Sequence, residues 1–423
     1  MGEKQISLAL GIVVAILFLF WIIKSLVTGA GVPNLIIQNM AAFKRNIPAL
    51  AFAGKSYEHI QYAMKSPAEY LDIYVPDAQE KPPLLILVHG GAFIYDDSQS
   101  RPAKLMYQYM RANGYAVATV NYRLAQEARF PAAVCDVKAA VRYLRANAEQ
   151  YGYDAERFAI WGESAGGYLA CMAAFTEDEL YSDVAFVGEN QAKPVSGGVS
   201  AVVDFYGVLD FDKSISDFAL SDVPRWLPRL IGMADLDSDK SIVTKFLGGN
   251  IETYTQEQRN ALSPTYFAKN LKDKRLQVYI QHGSVDITVP KTQSERLYET
   301  LKSALGDEKV TYCEMKNLKH GDDRFYTPKN LELVKEFLDK AIWQSAHCFF
   351  ADSQNIRITV GRLLIFQQSA RFLWANLAQL IGKYRCGQRG QPALTSTRTL
   401  LSGTTICSCL VGTGGYLYCR RTF

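Results

Sequence analysis

Short apolar runs alternate with longer amphipathic segments along most of the chain, from about Tyr57 onward. Residues 84–88, Leu-Leu-Ile-Leu-Val, are apolar at every position, as expected of a strand that is covered on both faces of a parallel sheet. Residues 131–151 instead place apolar side chains at helical spacing, and Pro131 suits a first helical turn. The two periodicities together predict strands that are connected by helices.

Strands are predicted over residues 68–75, 83–89, 115–121, 157–161, 199–206, 276–281 and 310–315, and helices over residues 131–151, 165–175, 291–305 and 328–343. This alternation indicates an α/β fold, with one mostly parallel central sheet and helices on both of its faces. We expect the main domain to span residues 70–343, after a helical lead-in and first strand over residues 34–69. Residues 210–262 break the alternation and are rich in apolar side chains. They predict a lid insertion over the carboxyl ends of the strands, where open α/β sheets bind their ligands.

The first 33 residues form a separate segment. Residues 8–23 carry no charged side chain and are flanked by Lys4 and Lys24. With its flanks, residues 6–27, this run approaches the ~20 residues that a helix needs to span a bilayer. We therefore predict a single-pass N-terminal membrane helix. The alternative is a signal peptide that is cleaved after the small residues 28–30, in which case the protein is secreted or periplasmic.

Residues 344–423 differ in composition from the rest of the chain. They contain nine Lys or Arg against one acidic residue, Asp352, and five of the eight cysteines. One explanation is a shifted reading frame or a misjoined gene. The other is a basic interaction segment, in which residues 360–381 form an amphipathic helix on an anionic membrane surface. In both cases we expect the tail to contribute nothing to catalysis.

The whole chain has a formal net charge of +4, from 46 basic and 42 acidic residues. A balance so near neutrality does not support a nucleic-acid partner. With 48% hydrophobic and 21% charged residues, the chain can bury enough apolar surface to fold, which excludes a disordered protein. The main domain carries no dinucleotide or phosphate-binding glycine motif and no metal-ligand spacing of Cys or His, so we expect no cofactor and no metal.

Candidate chemistry begins at residues 162–167, Gly-Glu-Ser-Ala-Gly-Gly, between a predicted strand and a predicted helix. This is a full G-x-S-x-G motif in the strand–turn–helix context that the motif requires. A sharp turn exposes the hydroxyl of Ser164, and the glycines let neighbouring backbone approach closely. The free N–H groups at the start of the next helix point to the same place and favour an oxyanion. We predict that Ser164 is a nucleophile.

A second glycine motif, His89-Gly90-Gly91, directly follows the apolar strand at residues 84–88. Adjacent glycines permit a backbone bend whose N–H groups can face the carbonyl under attack. Because the motif lies at the end of a strand and upstream of the serine, it predicts an oxyanion loop.

A nucleophilic serine needs a base, and the chain has five histidines. His320 lies in a short loop after the predicted strand 310–315, from which its imidazole could reach Ser164. Asp286 is predicted to orient His320, which gives the chain order Ser, Asp, His. His282 lies at the end of a predicted strand and is expected to pack or to hydrogen-bond locally. The alternatives to Asp286 are two acids close to the histidine in sequence, Asp322 and Asp323.

These motifs resemble those of the α/β-hydrolase fold and, within it, of the hormone-sensitive-lipase-like and feruloyl-esterase-like carboxylesterases. The resemblance covers about residues 70–343 and rests on residues 89–92 (HGGA), 120–123 (VNYR), 130–133 (FPAA), 162–167 (GESAGG), 282–286 (HGSVD) and 320–328 (HGDDRFYTP). It implies a nucleophile, an acid and a base at Ser164, Asp286 and His320, respectively. It also implies oxyanion donors at Gly90, Gly91 and Ala165. Ala92 stands where many lipase-like members have a third glycine, which favours ordinary esters over bulky tertiary-alcohol esters.

Three functions are compatible with these features. A carboxylic ester hydrolase is favoured, because all three catalytic residue types and both oxyanion elements are present. Its expected substrates are uncharged esters of short to medium acyl length, given the apolar insertion. A serine amidase or peptidase on the same fold would need a further domain or an amine pocket, and no internal repeat indicates one. A catalytically inactive binding protein would usually have lost the serine or the histidine.

Overall fold

The computed structural model of the chain describes residues 53–182, 195–213, 216–217, 241–352 and three strands between residues 398 and 421. The predicted membrane helix in residues 1–33, residues 218–240 of the predicted lid and the predicted tail helix over residues 360–381 lie outside the described residues. Within the described ranges, no helix is both long enough and apolar enough to cross a bilayer.

Within the described residues, the main sheet has eight strands. They are β1 (Gly54–Gln61), β2 (Tyr70–Pro76), β3 (Pro83–Val88), β4 (Ala116–Val120), β5 (Asp154–Glu163), β6 (Ala201–Phe205), β7 (Gln277–Gly283) and β8 (Val310–Met315). Their spatial order is β1-β2-β4-β3-β5-β6-β7-β8. Strand β2 is antiparallel to both of its neighbours, whereas the six strands from β4 to β8 are parallel to one another. The predicted α/β class with a mostly parallel central sheet is therefore confirmed.

The described helices are α1 (Arg101–Ala112), α2 (Ala132–Ala146), α3 (Ala148–Tyr151), α4 (Ala165–Phe175), α5 (Ile242–Leu247), α6 (Gln256–Ala261), α7 (Pro264–Ala268), α8 (Thr292–Leu305) and α9 (Pro328–Asp352). Single 3₁₀ turns lie at Phe211–Lys213, Ile251–Thr253, Asp307–Lys309 and Asp323–Tyr326. Helices α1 and α9 pack on one face of the sheet, and α2, α4 and α8 pack on the other. Helices therefore cover both faces, as the β-α alternation predicts.

The core of the sheet confirms the interpretation of the apolar run in β3. Leu84, Ile86 and Val88 belong to the hydrophobic cluster on the α2, α4 and α8 face. Leu85 and Leu87 belong to the cluster on the α1 and α9 face. All five side chains are buried, because a central parallel strand has no solvent-exposed face.

Several helices differ from the sequence prediction, and no helix is predicted where α5, α6 and α7 lie. Helix α1 is not predicted by the apolar pattern. The predicted helix over residues 131–151 is divided into α2 and α3 at Asn147, whose side-chain amide donates a hydrogen bond of 2.8 Å to the carbonyl of Tyr143. Helix α9 continues beyond residue 343 and ends at Asp352.

Residues 354–423 form a second compact unit, separate from residues 1–353. Three strands are described in it: β9 (Arg398–Ser402), β10 (Thr405–Val411) and β11 (Leu417–Arg421). Strand β10 is central and pairs antiparallel with both of the others. The sequence pattern does not predict these strands.

Candidate active site

Ser164 lies on the sharp turn between the end of β5 at Glu163 and the start of α4 at Ala165. Its backbone has φ of 51° and ψ of −118°, a conformation that non-glycine residues rarely adopt. Such strain is found at functional sites when the surrounding structure enforces it. Here the turn follows a central strand of the sheet and precedes a buried helix, which together hold Ser164 at the carboxyl edge of the sheet.

The glycines of the motif are explained by close backbone approach around this turn. A Cβ atom on Gly162 would lie 2.0 Å from the carbonyl oxygen of Gly166, and one on Gly166 would lie 2.1 Å from the carbonyl oxygen of Val88. No side chain fits at these distances. The motif thus brings strands β3 and β5 and helix α4 close enough for the loop after β3 to lie beside Ser164.

The structure brings three of the predicted site residues into one hydrogen-bonded chain. The Nε2 atom of His320 lies 2.9 Å from Oγ of Ser164, and Nδ1 lies 2.6 Å from Oδ2 of Asp286. The Asp286 side chain is fully buried, whereas that of His320 is 18% exposed. The serine is therefore linked through a partly accessible imidazole to a buried carboxylate, although 156 residues separate it from the histidine.

Asp286 has further donors that support its ionised form. Its Oδ1 atom accepts hydrogen bonds from the backbone N–H groups of Thr288 at 2.8 Å and Val289 at 2.9 Å. Burial acts to raise the pKa of this carboxyl group, but the charge and hydrogen bond of His320 and the hydrogen bond of His282 hold it well below its usual range. An acid whose ionised form is favoured in this way can fix the tautomer of His320 and stabilise its protonated form.

His282 is buried and hydrogen-bonded, as predicted for a locally packed residue. Its Nδ1 atom lies 2.7 Å from Oγ of Ser294, and its Nε2 atom lies 2.8 Å from the carbonyl oxygen of Val289. The structure adds a contact that the sequence does not predict, since Nε2 also lies 3.3 Å from Oδ2 of Asp286. His282 is therefore part of the environment of the buried acid.

The two alternative acids have other partners. Asp322 forms an ion pair of 2.8 Å with Arg324, and hydrogen bonds from that guanidinium lower the pKa of Asp322. Asp323 pairs with Arg101 of α1. Of the three acids considered, Asp286 is the one whose carboxylate contacts the ring of His320.

The predicted oxyanion loop follows β3 directly. A Cβ atom on Gly90 would lie 3.5 Å from Cβ of Ser164, so this part of the loop is in contact with the serine. Gly91 has φ of +99°, and a Cβ there would lie 1.9 Å from the carbonyl oxygen of Tyr95. The next residue, Ala92, also has a positive φ, of 53°. The chain thus turns sharply at Gly91, as adjacent glycines permit.

The buried side chain of Tyr122 binds this loop through hydrogen bonds to its backbone. Its hydroxyl donates to the carbonyl oxygens of His89 at 2.9 Å and Gly90 at 3.1 Å, and its ring stacks on that of His89 at 4.4 Å. Tyr122 is buried, and burial raises the pKa of its hydroxyl, which stays a donor. The third predicted oxyanion donor, Ala165, is the first residue of α4, where backbone N–H groups have no acceptor within the helix.

Aromatic side chains pack beside the predicted oxyanion loop. The rings of Phe93 and Phe246 stack at 3.8 Å, and the ring of Tyr168 contacts both of them edge-on at 5.4 and 5.7 Å. Phe211 lies against Tyr168 at 5.3 Å. Phe211 and Phe246 belong to the described ends of the predicted insertion, so these ends are anchored next to the site.

Sequence reasoning missed several residues that contact the site, namely Tyr122, Glu163, Tyr206 and Tyr326. Tyr122, Glu163 and Tyr326 lie inside motifs that the resemblance rests on, and that was the available signal, whereas Tyr206 lies in none of them. Tyr206 and Tyr326 donate hydrogen bonds to the carboxyl group of Glu163 from positions far along the chain. In the described part of the chain, no group of three or more His, Cys, Asp or Glu side chains could hold a metal ion.

Comparison with known proteins places these features in a family. Residues 71–301 match the BD-FAE family. The chain is 29% identical to "Esterase LipC" of Mycobacterium tuberculosis over 263 residues, which are 61% of this chain and 58% of LipC. It is 39% identical to "Ethyl acetate hydrolase" of Pseudomonas putida over 90 residues, which are 21% of this chain and 28% of that protein. The match thus spans little more than half of LipC.

Among solved structures, a truncated carbohydrate esterase from gut microbiota has a similar fold. It superposes with a TM-score of 0.54 at 24% identity, over 70% of this chain and 98% of that one. The family match covers more than half of the chain and includes Gly90, Ser164 and Asp286. The chain therefore belongs to the BD-FAE family of α/β hydrolases, in agreement with the resemblance of its motifs.

Proposed function

We propose that the protein is a serine carboxylesterase that acts through Ser164, His320 and Asp286 and a covalent acyl-enzyme intermediate. The observation that carries this proposal is the unbroken hydrogen-bonded chain from Oγ of Ser164 through the ring of His320 to Oδ2 of Asp286. Membership of the BD-FAE family and the esterase names of the relatives support the same reaction class.

In the first half of the reaction, Oγ of Ser164 attacks the ester carbonyl carbon while Nε2 of His320 removes the hydroxyl proton. Asp286 keeps Nδ1 of His320 protonated and stabilises the imidazolium. When the tetrahedral intermediate collapses, the bond to the alcohol breaks and His320 gives the proton to the leaving oxygen. Ser164 then carries the acyl group.

In the second half, a water molecule attacks the acyl-enzyme while His320 again takes a proton. Collapse of this intermediate releases the carboxylic acid and returns the proton to Ser164. In both intermediates, negative charge develops on the former carbonyl oxygen. We assign its stabilisation to the backbone N–H groups of Gly90, Gly91 and Ala165. Gly90 lies against the serine, Ala165 follows the serine in sequence, and Gly91 is the next residue of the same loop.

We propose uncharged esters of short to medium acyl length as substrates. The side chains packed next to the oxyanion loop are aromatic, and Phe93, Tyr168 and Phe246 are all buried. Such surroundings disfavour a charged acyl group, because its desolvation would not be offset by a partner. The name of the Pseudomonas relative, an ethyl acetate hydrolase, supports a short acyl group.

We also propose that residues 1–33 bring the enzyme to a membrane as a single-pass anchor, or export it if the segment is cleaved. The support is the uncharged run of residues 8–23. We propose, separately, that residues 210–262 form a lid over the candidate site. Its described ends carry Phe211 and Phe246, which pack beside the proposed oxyanion loop.

Turnover of p-nitrophenyl acetate compared with that of p-nitroacetanilide tests the reaction class. We expect the ester to be hydrolysed and the anilide to be a poor substrate. A series of p-nitrophenyl esters from acetyl to decanoyl then locates the preferred acyl length. Ser164→Ala should reduce ester turnover by about 10⁶-fold while circular dichroism shows an intact fold. More than a few per cent of residual activity in a folded Ser164→Ala protein would contradict the proposal.

A further inference from the structure

A buried hydrogen-bonded cluster lies directly behind the candidate site. Glu163, the residue before the serine, is 6% exposed, and its Oε2 atom accepts a hydrogen bond of 2.7 Å from the hydroxyl of Tyr206. The hydroxyl of Tyr326 donates to the same oxygen, and the two tyrosine hydroxyls also contact each other. We call Glu163, Tyr206 and Tyr326 the Glu163 cluster.

The cluster joins three separate parts of the chain at the carboxyl edge of the sheet. Glu163 ends β5, Tyr206 directly follows β6, and Tyr326 ends the 3₁₀ turn that follows the His320 loop. A hydrogen bond from Tyr326 to Glu163 therefore ties the segment carrying the histidine to the segment carrying the serine. The two residues are 163 positions apart in sequence.

Tyr206 is in direct contact with the histidine. The centroids of the Tyr206 and His320 rings are 4.7 Å apart with an interplanar angle of 63°, an edge-to-face arrangement. Tyr206 itself is held firmly, because its backbone N–H donates to the carbonyl of Gln281 at 2.8 Å and its hydroxyl is bound to Glu163. The Tyr206 ring therefore limits how far the imidazole of His320 can rotate.

Glu163 also lies against the oxyanion loop. A Cβ atom on Gly90 would be 3.1 Å from the carbonyl oxygen of Glu163 and 3.4 Å from its Oε1 atom. Burial, followed by the charge of Glu163, raises the pKa of both Tyr206 and Tyr326 well above the usual range, so both hydroxyls remain donors. The carboxyl group of Glu163 thus contacts both tyrosines of the cluster and the loop that contains Gly90.

We infer that Glu163, through Tyr206 and Tyr326, is a positioning residue that holds the imidazole of His320 in line with Ser164. The inference rests on the proposed function, since it assigns His320 as the base. The cluster is buried, so we expect the ester to bind without contacting it. Its loss should therefore reduce kcat and leave KM nearly unchanged.

Five variants separate the parts of this arrangement. Tyr206→Phe and Tyr326→Phe each remove one hydroxyl and keep the ring. Tyr206→Leu removes the ring that contacts His320, and Glu163→Ala removes the acceptor. Glu163→Gln keeps an oxygen that can accept from both tyrosines, so it should restore most of the activity that Glu163→Ala loses.

Tyr115→Phe is the matched control. Tyr115 is also buried, and its hydroxyl also donates to a carboxylate, that of Asp339, at 2.6 Å. It lies directly before β4, at the amino edge of the sheet, opposite to the edge that carries Ser164. Removal of the Tyr115 hydroxyl should lower the melting temperature as much as Tyr206→Phe does, but it should leave kcat unchanged.

Two readouts are needed, because a purely structural role would change only stability. The first is kcat and KM for p-nitrophenyl acetate, and the second is the rate at which a fluorophosphonate labels Ser164. We expect about tenfold lower kcat and labelling rate in Tyr206→Phe and Tyr326→Phe. We expect losses of about 50-fold in Tyr206→Leu and Glu163→Ala, with KM within about threefold of the wild type.

The outcomes distinguish this inference from the proposed function. If the wild type neither hydrolyses the ester nor reacts with the fluorophosphonate, the proposed function fails. If the wild type does both, and the Tyr206→Phe and Tyr326→Phe proteins keep wild-type kcat and labelling rates, the inference is overturned. Should Glu163→Ala or Tyr206→Leu fail to fold, the Tyr206→Phe and Tyr326→Phe variants decide between the outcomes.

Discussion

The Nε2 atom of His282 lies 3.3 Å from Oδ2 of Asp286, the same oxygen that Nδ1 of His320 approaches to 2.6 Å. Two imidazoles thus contact one buried carboxylate, but only that of His320 also contacts Ser164. The ring of His282 also contacts the hydroxyl of Ser294 and the carbonyl of Val289, which fix its position. From the interior of the protein it therefore contacts the carboxylate of Asp286.

His282→Ala should therefore affect both stability and chemistry. The substitution leaves a cavity and removes buried hydrogen bonds, which costs about 3 kcal/mol in the free energy of unfolding. Asp286 also loses one donor, and a loss of about 1.4 kcal/mol in orienting His320 corresponds to about tenfold in kcat. Urea denaturation and ester turnover measure the two effects. His59→Ala, at an exposed position, is the control, and unchanged kcat in folded His282→Ala would refute the link to Asp286.

Asp286→Asn and Asp322→Asn form a second pair of variants. Asn at position 286 can no longer fix the tautomer of His320, so kcat should fall by about 10⁴-fold. Asp322 pairs with Arg324 instead, and Asp322→Asn should stay within about threefold of the wild type. Steady-state kinetics on p-nitrophenyl acetate compare them. A large loss in Asp322→Asn with an active Asp286→Asn protein would assign the acid to the loop of the histidine.

Gly166→Ala should prevent the turn around Ser164 from forming, since its Cβ would lie 2.1 Å from the carbonyl oxygen of Val88. We expect no soluble folded protein, or a loss of stability above about 4 kcal/mol. Gly114→Ala is the control, because Gly114 has φ of +88° but no atom within 4 Å of an added Cβ. It should cost only about 1 kcal/mol, from backbone strain. Expression yield and urea denaturation distinguish the two, and a stable Gly166→Ala protein would show that this turn differs from the one described.

Stability should also depend on the protonation of Asp204. Burial raises the pKa of this carboxyl group to about 7, against the opposing effects of His282 and the N–H of Gly207. Within the described residues, its Oδ1 atom has no hydrogen-bond partner. The pKa of Asp204 is higher in the folded than in the unfolded chain. Its contribution to the free energy of unfolding is therefore complete below about pH 4 and is lost as the pH rises through about 7.

Between pH 5 and pH 8 this group alone should remove about 3 kcal/mol from the free energy of unfolding. Asp204→Asn cannot titrate, so the difference between its urea denaturation curves at the two pH values should be smaller than in the wild type by about that amount. The exposed Asp77→Asn variant should retain the wild-type dependence. Equal pH dependence in all three proteins would mean that Asp204 titrates alike in the folded and unfolded chains.

Deletion of residues 1–33 tests the proposed anchor. The full-length protein should sediment with membranes and resist extraction by salt or carbonate, because ~20 apolar residues are held by hydrophobic burial and not by screened charge. The deleted form should be soluble and should keep its kcat. Release of the full-length chain by salt alone would exclude a spanning helix, and a mature N-terminus near Gly31 would indicate a cleaved signal.

Much of the fold can be predicted from the local pattern of apolar and polar residues. Strand β3 is readable because it is apolar at every position, and β8 ends where the pattern predicts. Helix α1 was missed although its signals are local, since the side chain of Ser100 caps it and Pro102 occupies its first turn. Its buried side includes the polar residues Gln108 and Arg111, which interrupt the apolar stripe around Met106 and Met110.

Part of the candidate site could likewise be predicted from the sequence, and part of it could not. Ser164 and the glycines around it could be predicted, because the turn imposes a requirement on adjacent residues. The preference for Asp286 rested on its place just after a predicted strand, whereas Asp322 and Asp323 are only two and three residues from His320. Only the packing of the loops after β7 and β8 shows which acid meets His320. The contact between Tyr326 and Glu163 could not be predicted, since no local pattern links positions 163 residues apart.

The hydroxyl of Tyr122 has a consequence for the direction of two peptide dipoles. In a trans peptide the C=O and N–H groups point in opposite directions. The carbonyls of His89 and Gly90 share their peptide planes with the N–H groups of Gly90 and Gly91, and both carbonyls are bound to Tyr122. The buried Tyr122 side chain therefore fixes the direction of both N–H groups. If these are the oxyanion donors that we propose, the backbone does not have to reorient as negative charge develops on the substrate.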